Sequence, residues 1–169
     1  VSREPRLKNY YDAAESSDGV VPQFELDSNG NYDFSKPLVN PETMNNFEIG
    51  TSLTHANMYL SCNAYYMLFN DEIVKQGQID RFGQPVTGNM DKTIHYGLEG
   101  IFNLKIDRNF EFVFNCSVSK NYISSGKTFV KTKDITGKKV MATIDLADNS
   151  ISDFPQTTLN ALLKFNSDN

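Results

Sequence analysis

Several residue types that build sites or spans in other proteins are scarce in this chain. It has no tryptophan, two cysteines and two histidines, and no apolar run approaches the ~20 residues that a membrane helix needs. Cys62 and Cys116 are too few for a disulfide framework and too far from any histidine pair to suggest a zinc site. The sequence therefore excludes a helical membrane span and a disulfide-stapled domain, and it predicts no bound metal.

Positive charge is also in deficit. Sixteen Lys and Arg stand against 21 Asp and Glu, for a net charge of -5, whereas a nucleic-acid partner needs clustered cations. The loose group Lys131, Lys133, Lys138 and Lys139 is interpreted as a solvated loop. We therefore expect no nucleic-acid partner.

No catalytic constellation is recognisable. His55 and His95 are isolated, and no nucleophile–base pair or phosphate-binding loop is present. The segments Asn29-Gly30 and Thr87-Gly88-Asn89 are interpreted as turn formers. The sequence predicts neither an enzyme nor a cofactor.

What the chain does contain is alternation of period two, which indicates β-strands. Residues 110–118 read FEFVFNCSV, with one apolar and one polar face, and residues 94–106 alternate in the same way. A short polar turn at 107–109 joins them into a hairpin. Similar alternation predicts a second hairpin, with strands from Phe47 and from Tyr59, and a last strand over 156–165.

The connections between the strands alternate strictly between short and long. Short turns are predicted at 54–57 and 107–109, and long polar connections at 7–41, 74–91 and 124–155. We expect five strands and a sixth near 1–6, in an all-β, antiparallel, up-and-down sheet. Strands of 12 or more residues, aromatics near strand ends and ~30-residue loops favour a transmembrane β-barrel over a soluble sandwich, although the alternation alone fits both.

Three stretches resemble the barrel domain of TonB-dependent receptors. They are SREPRL from Ser2, LVNPETMNNFEIG from Leu38 and RFGQPVTGNMDKTIHYGLEG from Arg81, with a weaker fourth at Phe154-Pro155. Their order and the hairpin lengths between them cover nearly the whole chain. The resemblance implies that residues 1–169 are part of a 22-stranded-type barrel, with the plug domain and the final strands absent.

The same resemblance implies a function. The whole protein would be an outer-membrane receptor of Gram-negative type that takes up a scarce nutrient complex, such as siderophore-iron, cobalamin, haem or a glycan. Its partners would be the TonB energy-coupling protein, reached through the absent N-terminal region, the nutrient ligand and outer-membrane lipid. Two alternatives remain open at this point: a plug-less porin or adhesin barrel, and a soluble β-rich binding module.

Candidate site residues fall into two groups. Outer-loop residues that could touch a substrate are Tyr10, Tyr11, Tyr32, Arg81 and Phe82. Polar residues expected to face the barrel lumen, because a lipid-facing carboxylate costs a few kcal/mol, are Glu48, His95 and Glu99.

Overall fold

The computed structural model describes residues 2–5, 24–79, 85–133, 135–137 and 139–166 of the 169-residue chain. Its regular elements are all strands. In chain order they are β1 (Ser2–Arg3), β2 (Phe24–Leu26), β3 (Tyr32–Pro37), β4 (Glu42–His55), β5 (Met58–Ile79), β6 (Pro85–Lys105), β7 (Phe110–Ser125), β8 (Lys127–Lys133), β9 (Lys139–Asp145) and β10 (Thr157–Phe165). Among these residues there is no helical segment with the length and apolar character of a membrane span.

Six strands form one sheet in the order β1-β4-β5-β6-β7-β10, which confirms the predicted up-and-down arrangement and the sixth strand at the start of the chain. Two tight turns join its central hairpins. The first turns at Ala56, whose φ of 46° is left-handed. In the second, the carboxylate of Asp107 accepts the N–H groups of Asn109 and Phe110 at 2.7 and 2.8 Å. Both turns lie where the sequence predicted them.

The chain divides into two compact units. The first comprises Val1–Asn45, Leu68–Thr93 and Tyr122–Ser152, and the second comprises Asn46–Met67, Ile94–Asn121 and Asp153–Asn169. Strands β4 to β7 each contribute residues to both.

The second unit has an exposed apolar face. Its large apolar side chains with more than half of their area exposed include Phe47, Ile49, Leu98, Leu163 and Phe165. The register of β7 and β10 pairs Leu163 with Phe112 and Phe165 with Phe110 on this face. Alternate positions pair Lys164 with Glu111, whose charged groups are 3.3 Å apart. The sheet thus presents an apolar and a polar face, as a barrel wall does.

The first unit holds a small buried cluster formed by Val74, Met90, Ile123 and Ile151, with Leu146 packed against it. Gly126 makes room for it, since a Cβ there would lie 2.7 Å from the sulfur of Met90. Ile151 and Leu146 reach this cluster from the connection between β9 and β10. Part of the predicted loop 124–155 is therefore packed against strands.

The predicted long loops contain more regular structure than the sequence indicated. The connection 7–41 includes the hairpin β2–β3, the connection 124–155 includes the hairpin β8–β9, and most of 74–91 continues β5 and β6. Backbone groups can pair along a ladder whatever the side chains are, and these segments are rich in polar residues. Apolar alternation, the signal used to predict strands, is therefore weak in them.

The hairpin β2–β3 shows how a polar segment is ordered locally. Asp27 accepts the N–H groups of Asn29 and Asn31 with one carboxylate oxygen, and Gly30 takes the left-handed φ of 82° that the turn requires. On β3, the hydroxyl and the N–H of Ser35 donate to Asp33 and lower the pKa of that carboxyl. The hairpin turn is therefore specified by side chain to backbone bonds.

Candidate functional site

A cavity of about 220 Å³ lies on the polar face of the second unit. Four neighbouring strands and the segment before β10 supply its lining. The lining residues are Glu48 of β4, Asn63, Tyr65 and Met67 of β5, His95 and Glu99 of β6, Asn121 of β7, and Phe154. Because alternate residues of a strand share a face, the lining residues of β5 are two positions apart and those of β6 are four positions apart.

His95 and Asn121 are the most buried residues of this lining, and each is only 4% exposed. The Nδ1 of His95 is 2.9 Å from the amide oxygen of Asn121, and the amide nitrogen of Asn121 donates to the hydroxyl of Ser119 at 3.0 Å. Since the Asn121 nitrogen is directed to Ser119, its oxygen accepts from an Nδ1–H of His95. This chain of hydrogen bonds fixes the orientation of the imidazole.

Phe154 covers the imidazole. The two ring centroids are 5.0 Å apart at an interplanar angle of 62°, an edge-to-face contact. The segment is held to β7 because the N–H of Ser119 donates to Gln156 O at 2.7 Å and its hydroxyl donates to Pro155 O at 3.3 Å. Phe154 follows Asp153, whose left-handed φ of 73° is unfavourable for a residue with a Cβ and has to be imposed by its surroundings.

Gly97 leaves the space that Tyr65 occupies. A Cβ at this position would lie 2.8 Å from the Tyr65 hydroxyl oxygen and 2.6 Å from the backbone oxygen of Val118. The glycine is required by this close approach and not by its φ. It therefore acts on the cavity indirectly, through Tyr65.

Two carboxylates give the cavity its charge. Glu48, which accepts a hydrogen bond from the side-chain amide of Asn46, and Glu99 both line it and are exposed. Their carboxylate oxygens are hydrogen-bond acceptors, beside the apolar side chains of Met67 and Phe154. No cluster of three or more His, Cys, Asp or Glu able to hold a metal ion occurs among the described residues.

A second polar network lies in the first unit and ties its chain segments together. Glu42 is 8% exposed and accepts from the Arg3 guanidinium at 2.8 Å and from the Ile73 N–H at 3.2 Å. Asn89 pairs with the backbone of Asn40, accepting from its N–H at 2.9 Å and donating to its carbonyl at 3.0 Å. The side-chain amide of Asn89 thus bonds the backbone of Asn40 through one donor and one acceptor, as a peptide group of a neighbouring strand would.

Asp71 joins the same network where β5 is irregular. Its φ is 55°, its carbonyl accepts from the Asn89 amide, and its carboxylate accepts from the Asn40 side chain at 3.1 Å. Arg3, Asn40 and Asn89 come from the three stretches on which the family resemblance depends. In the folded chain those stretches meet in hydrogen bonds.

The structure brings together one of the two predicted groups of site residues. Glu48, His95 and Glu99 line one cavity, whereas Tyr32 lies on β3, is 36% exposed and does not line it. Tyr10, Tyr11, Arg81 and Phe82 lie outside the described residues.

Sequence reasoning missed five members of the cavity: Asn63, Tyr65, Met67, Asn121 and Phe154. Tyr65 and Met67 are large side chains at odd positions of β5, where they interrupt the alternation of apolar and polar residues. Their odd parity, shared with Asn63, is the signal that assigns them to the polar face. For Phe154 no periodic signal exists, because it lies in an irregular segment.

The fold is an antiparallel up-and-down sheet with an exposed apolar face and a polar face, as in the wall of a transmembrane β-barrel. The family model described as TonB dependent receptor-like, beta-barrel, matches residues 3–168. The chain therefore belongs to the TonB-dependent receptor β-barrel family, a family of outer-membrane receptors. No curated protein and no solved structure matches it.

Proposed function

We propose that this chain forms part of the barrel wall of an outer-membrane receptor that takes up a scarce nutrient complex by TonB-dependent active transport. The observation that supports the proposal most directly is the separation of its two faces. Leu163 and Phe165 are exposed on one, while Glu48, His95 and Glu99 line a cavity on the other. A lipid-facing surface and a wet interior are the two environments that such a sheet requires.

The proposed partners follow from this role. The TonB energy-coupling protein would act through another part of the receptor, lipid would cover the apolar face, and the nutrient complex would bind at the outer loops. Siderophore-iron, cobalamin, haem and glycans remain the candidate cargoes. The role consists of binding and passage, with no covalent chemistry and no cofactor.

The test is uptake by cells that carry or lack the gene for the full receptor. Radiolabelled ferric siderophore, cobalamin, haemin and a maltooligosaccharide would be offered separately, with and without a protonophore. We expect accumulation of one of them to require both the gene and the proton-motive force. Uptake that requires the gene but persists with the protonophore would identify a passive pore instead, and equal uptake of all four without the gene would contradict a transport role.

A further inference from the structure

The cavity on the polar face of the second unit carries carboxylates that have no cationic partner. Among its eight described lining residues, Glu48 and Glu99 are acidic and none is a lysine or an arginine. Neither carboxylate forms an ion pair with any described residue. Glu111, on the same face, is by contrast paired with Lys164 of the neighbouring strand at 3.3 Å. The cavity therefore offers its ligand two acceptor groups that this part of the chain leaves without a counter-charge.

The rest of the lining combines apolar surface with a fixed polar wall. Met67, Phe154 and the ring of Tyr65 lie beside the carboxylates. The imidazole of His95 is bonded to Asn121, and both residues are 4% exposed, so they form part of the wall. A hard metal ion needs a shell of oxygen ligands and gains nothing from apolar walls, whereas an organic cation with an apolar stem uses both kinds of surface.

The volume of the cavity limits the size of such a cation. A water molecule takes ~30 Å³ of liquid, so the cavity of about 220 Å³ holds roughly seven atoms of that size. A guanidinium group on a chain of three carbons has about this many non-hydrogen atoms.

The placement of the two carboxylates favours a guanidinium over an ammonium. Glu48 and Glu99 belong to β4 and β6, which flank β5, so their backbones lie ~10 Å apart. A planar guanidinium has donors on several sides and can bond two carboxylates at once. An ammonium is a compact, strongly hydrated point charge that spans such a gap less well.

We propose that this cavity binds a guanidinium group carried on a short apolar chain. The group lies between the carboxylates of Glu48 and Glu99, and its chain packs against Met67 and Phe154. It belongs either to a soluble compound or to an arginine of another segment of the receptor, and the two sources give different results below. The inference rests on the proposed function in one respect, that the polar face opens into the barrel interior. Binding in detergent is measured without uptake, so each proposal can fail alone.

The test uses the full receptor in micelles of a non-ionic detergent and n-propylguanidinium as the probe. Saturation-transfer NMR is the readout, because a ligand of this size binds weakly. The control ligand is n-propylurea, which has nearly the same shape without the charge. We expect saturable binding of n-propylguanidinium at about 1 mM, at least ~5-fold tighter than that of n-propylurea and weaker at high salt. Equal binding of the two ligands to the wild type would overturn the proposal.

A pair of double variants assigns the binding to the cavity. E48Q/E99Q removes both charges and keeps the shape of the side chains, whereas E4Q/E25Q removes the same charge from exposed residues that do not line the cavity. We expect E48Q/E99Q to weaken binding of n-propylguanidinium by at least ~5-fold and E4Q/E25Q by less than ~2-fold. Equal losses in the two variants would place the binding elsewhere and overturn the proposal.

An arginine of the receptor that already fills the cavity would prevent the wild type from binding the free probe. In that case E48Q/E99Q should unfold at a lower temperature than the wild type and E4Q/E25Q, because it takes both partners from a bound cation. Without such a cation, the same substitution only removes a repulsion between like charges and does not lower the unfolding temperature. Absence of probe binding together with an unchanged or raised unfolding temperature of E48Q/E99Q would therefore overturn the proposal for both sources.

Discussion

Gly97 is the single residue on which the present shape of the cavity most depends. In a Gly97→Ala variant the added Cβ would meet the backbone oxygen of Val118 at 2.6 Å, and that atom cannot move without displacing β7. We expect a loss of about 1–3 kcal/mol in the free energy of unfolding, the usual cost of overpacking. Urea unfolding of the receptor in detergent, followed by tyrosine fluorescence, measures it.

Gly100 offers the matched control three positions along the same strand. A Cβ there would lie 3.0 Å from the sulfur of Cys116, the end of a side chain that can rotate away. Gly100→Ala should therefore cost clearly less than Gly97→Ala. Equal costs would show that any side chain on this part of β6 is harmful, and that the close approach at Gly97 has no special role.

At the residue scale, the sequence predicts the face of the sheet on which a side chain lies, but not the side chain that it contacts. Period two assigned Glu48, His95 and Glu99 to a polar face, and the structure places all three around one cavity. The bond from His95 to Asn121 was beyond prediction, because it joins residues 26 apart across two strands. Cross-strand partners depend on register, which a single sequence with two polar turns leaves open.

The segment between β9 and β10 covers the cavity by leaving the ladder. From Ser150 to Thr157 it is three residues longer than the part of β7 that it accompanies, from Val118 to Tyr122. The additional residues and the left-handed Asp153 turn the chain so that Phe154 reaches His95. Such bulges typically redirect a side chain toward a site.

Removing the phenyl ring should therefore uncover the imidazole. In a Phe154→Ala variant we expect His95, now 4% exposed, to react with diethylpyrocarbonate at least several-fold faster. His55 is exposed at the end of β4 and serves as the internal standard. Peptide mapping of the carbethoxylated histidines gives both rates. Slow reaction of His95 in the variant would show that Phe154 does not shield it.

The hydrogen bonds that join chain segments in the first unit can be tested by substituting Asn89. Asn89→Ala leaves the N–H and the carbonyl of Asn40 without their side-chain partner. We expect destabilisation of about 0.5–1.5 kcal/mol, the usual net contribution of a hydrogen bond, because both bonds are exposed and water can replace the lost partner. Hydrogen exchange at the Asn40 amide should accelerate with it, which mass spectrometry of the peptide around Pro41 would report.

An Asn89→Asp variant tests the two hydrogen bonds separately. Aspartate can still accept from the Asn40 N–H, but in place of the amide nitrogen its second oxygen would face the carbonyl oxygens of Asn40 and Asp71. We therefore expect Asn89→Asp to be at least as destabilising as Asn89→Ala. If Asn89→Asp and Asn89→Ala were both as stable as the wild type, the amide pairing would contribute nothing to the junction.

At the scale of elements, the six strands of the sheet were predictable because lipid and lumen impose alternation on them. The hairpins β2–β3 and β8–β9 were not, since a polar hairpin in water can pair its backbone without any apolar pattern. The extension of β5 to Ile79 escaped prediction for another reason. Asp71, with its φ of 55°, breaks the regular alternation that would have continued the strand.

At the scale of the whole molecule, the residues that carry the family resemblance acquire a physical role. Arg3 bonds Glu42, and Asn40 bonds Asn89, so that β1, β4 and β6 and the segments before them are linked by side chains. The motifs lie far apart in sequence but not in the fold. In an up-and-down sheet, the motifs have to follow one another in this order for Arg3 to meet Glu42 and for Asn40 to meet Asn89.

The most general prediction is that the two faces of the sheet lie in different environments. Two adjacent leucines of β10 form a matched pair that tests it. Leu162 and Leu163 are adjacent, of the same type and both more than half exposed, but they pair with Val113 and Phe112 on opposite faces. In water the two sites would be nearly equivalent. In a membrane only Leu163 shares its face with Phe110 and Phe165, the side that lipid would cover.

An arginine at each position therefore separates a lipid-facing from a lumen-facing site. Leu163→Arg should destabilise the receptor by up to ~2–4 kcal/mol, less if the residue lies near the interface, whereas Leu162→Arg should cost less than about 1 kcal/mol. Refolding from urea into lipid vesicles, followed by gel mobility, gives both free energies. Because the two variants differ only in the face that carries the charge, equal costs in vesicles would mean that lipid does not cover the Leu163 side, and a larger cost for Leu162→Arg would assign lipid to the face that bears the cavity.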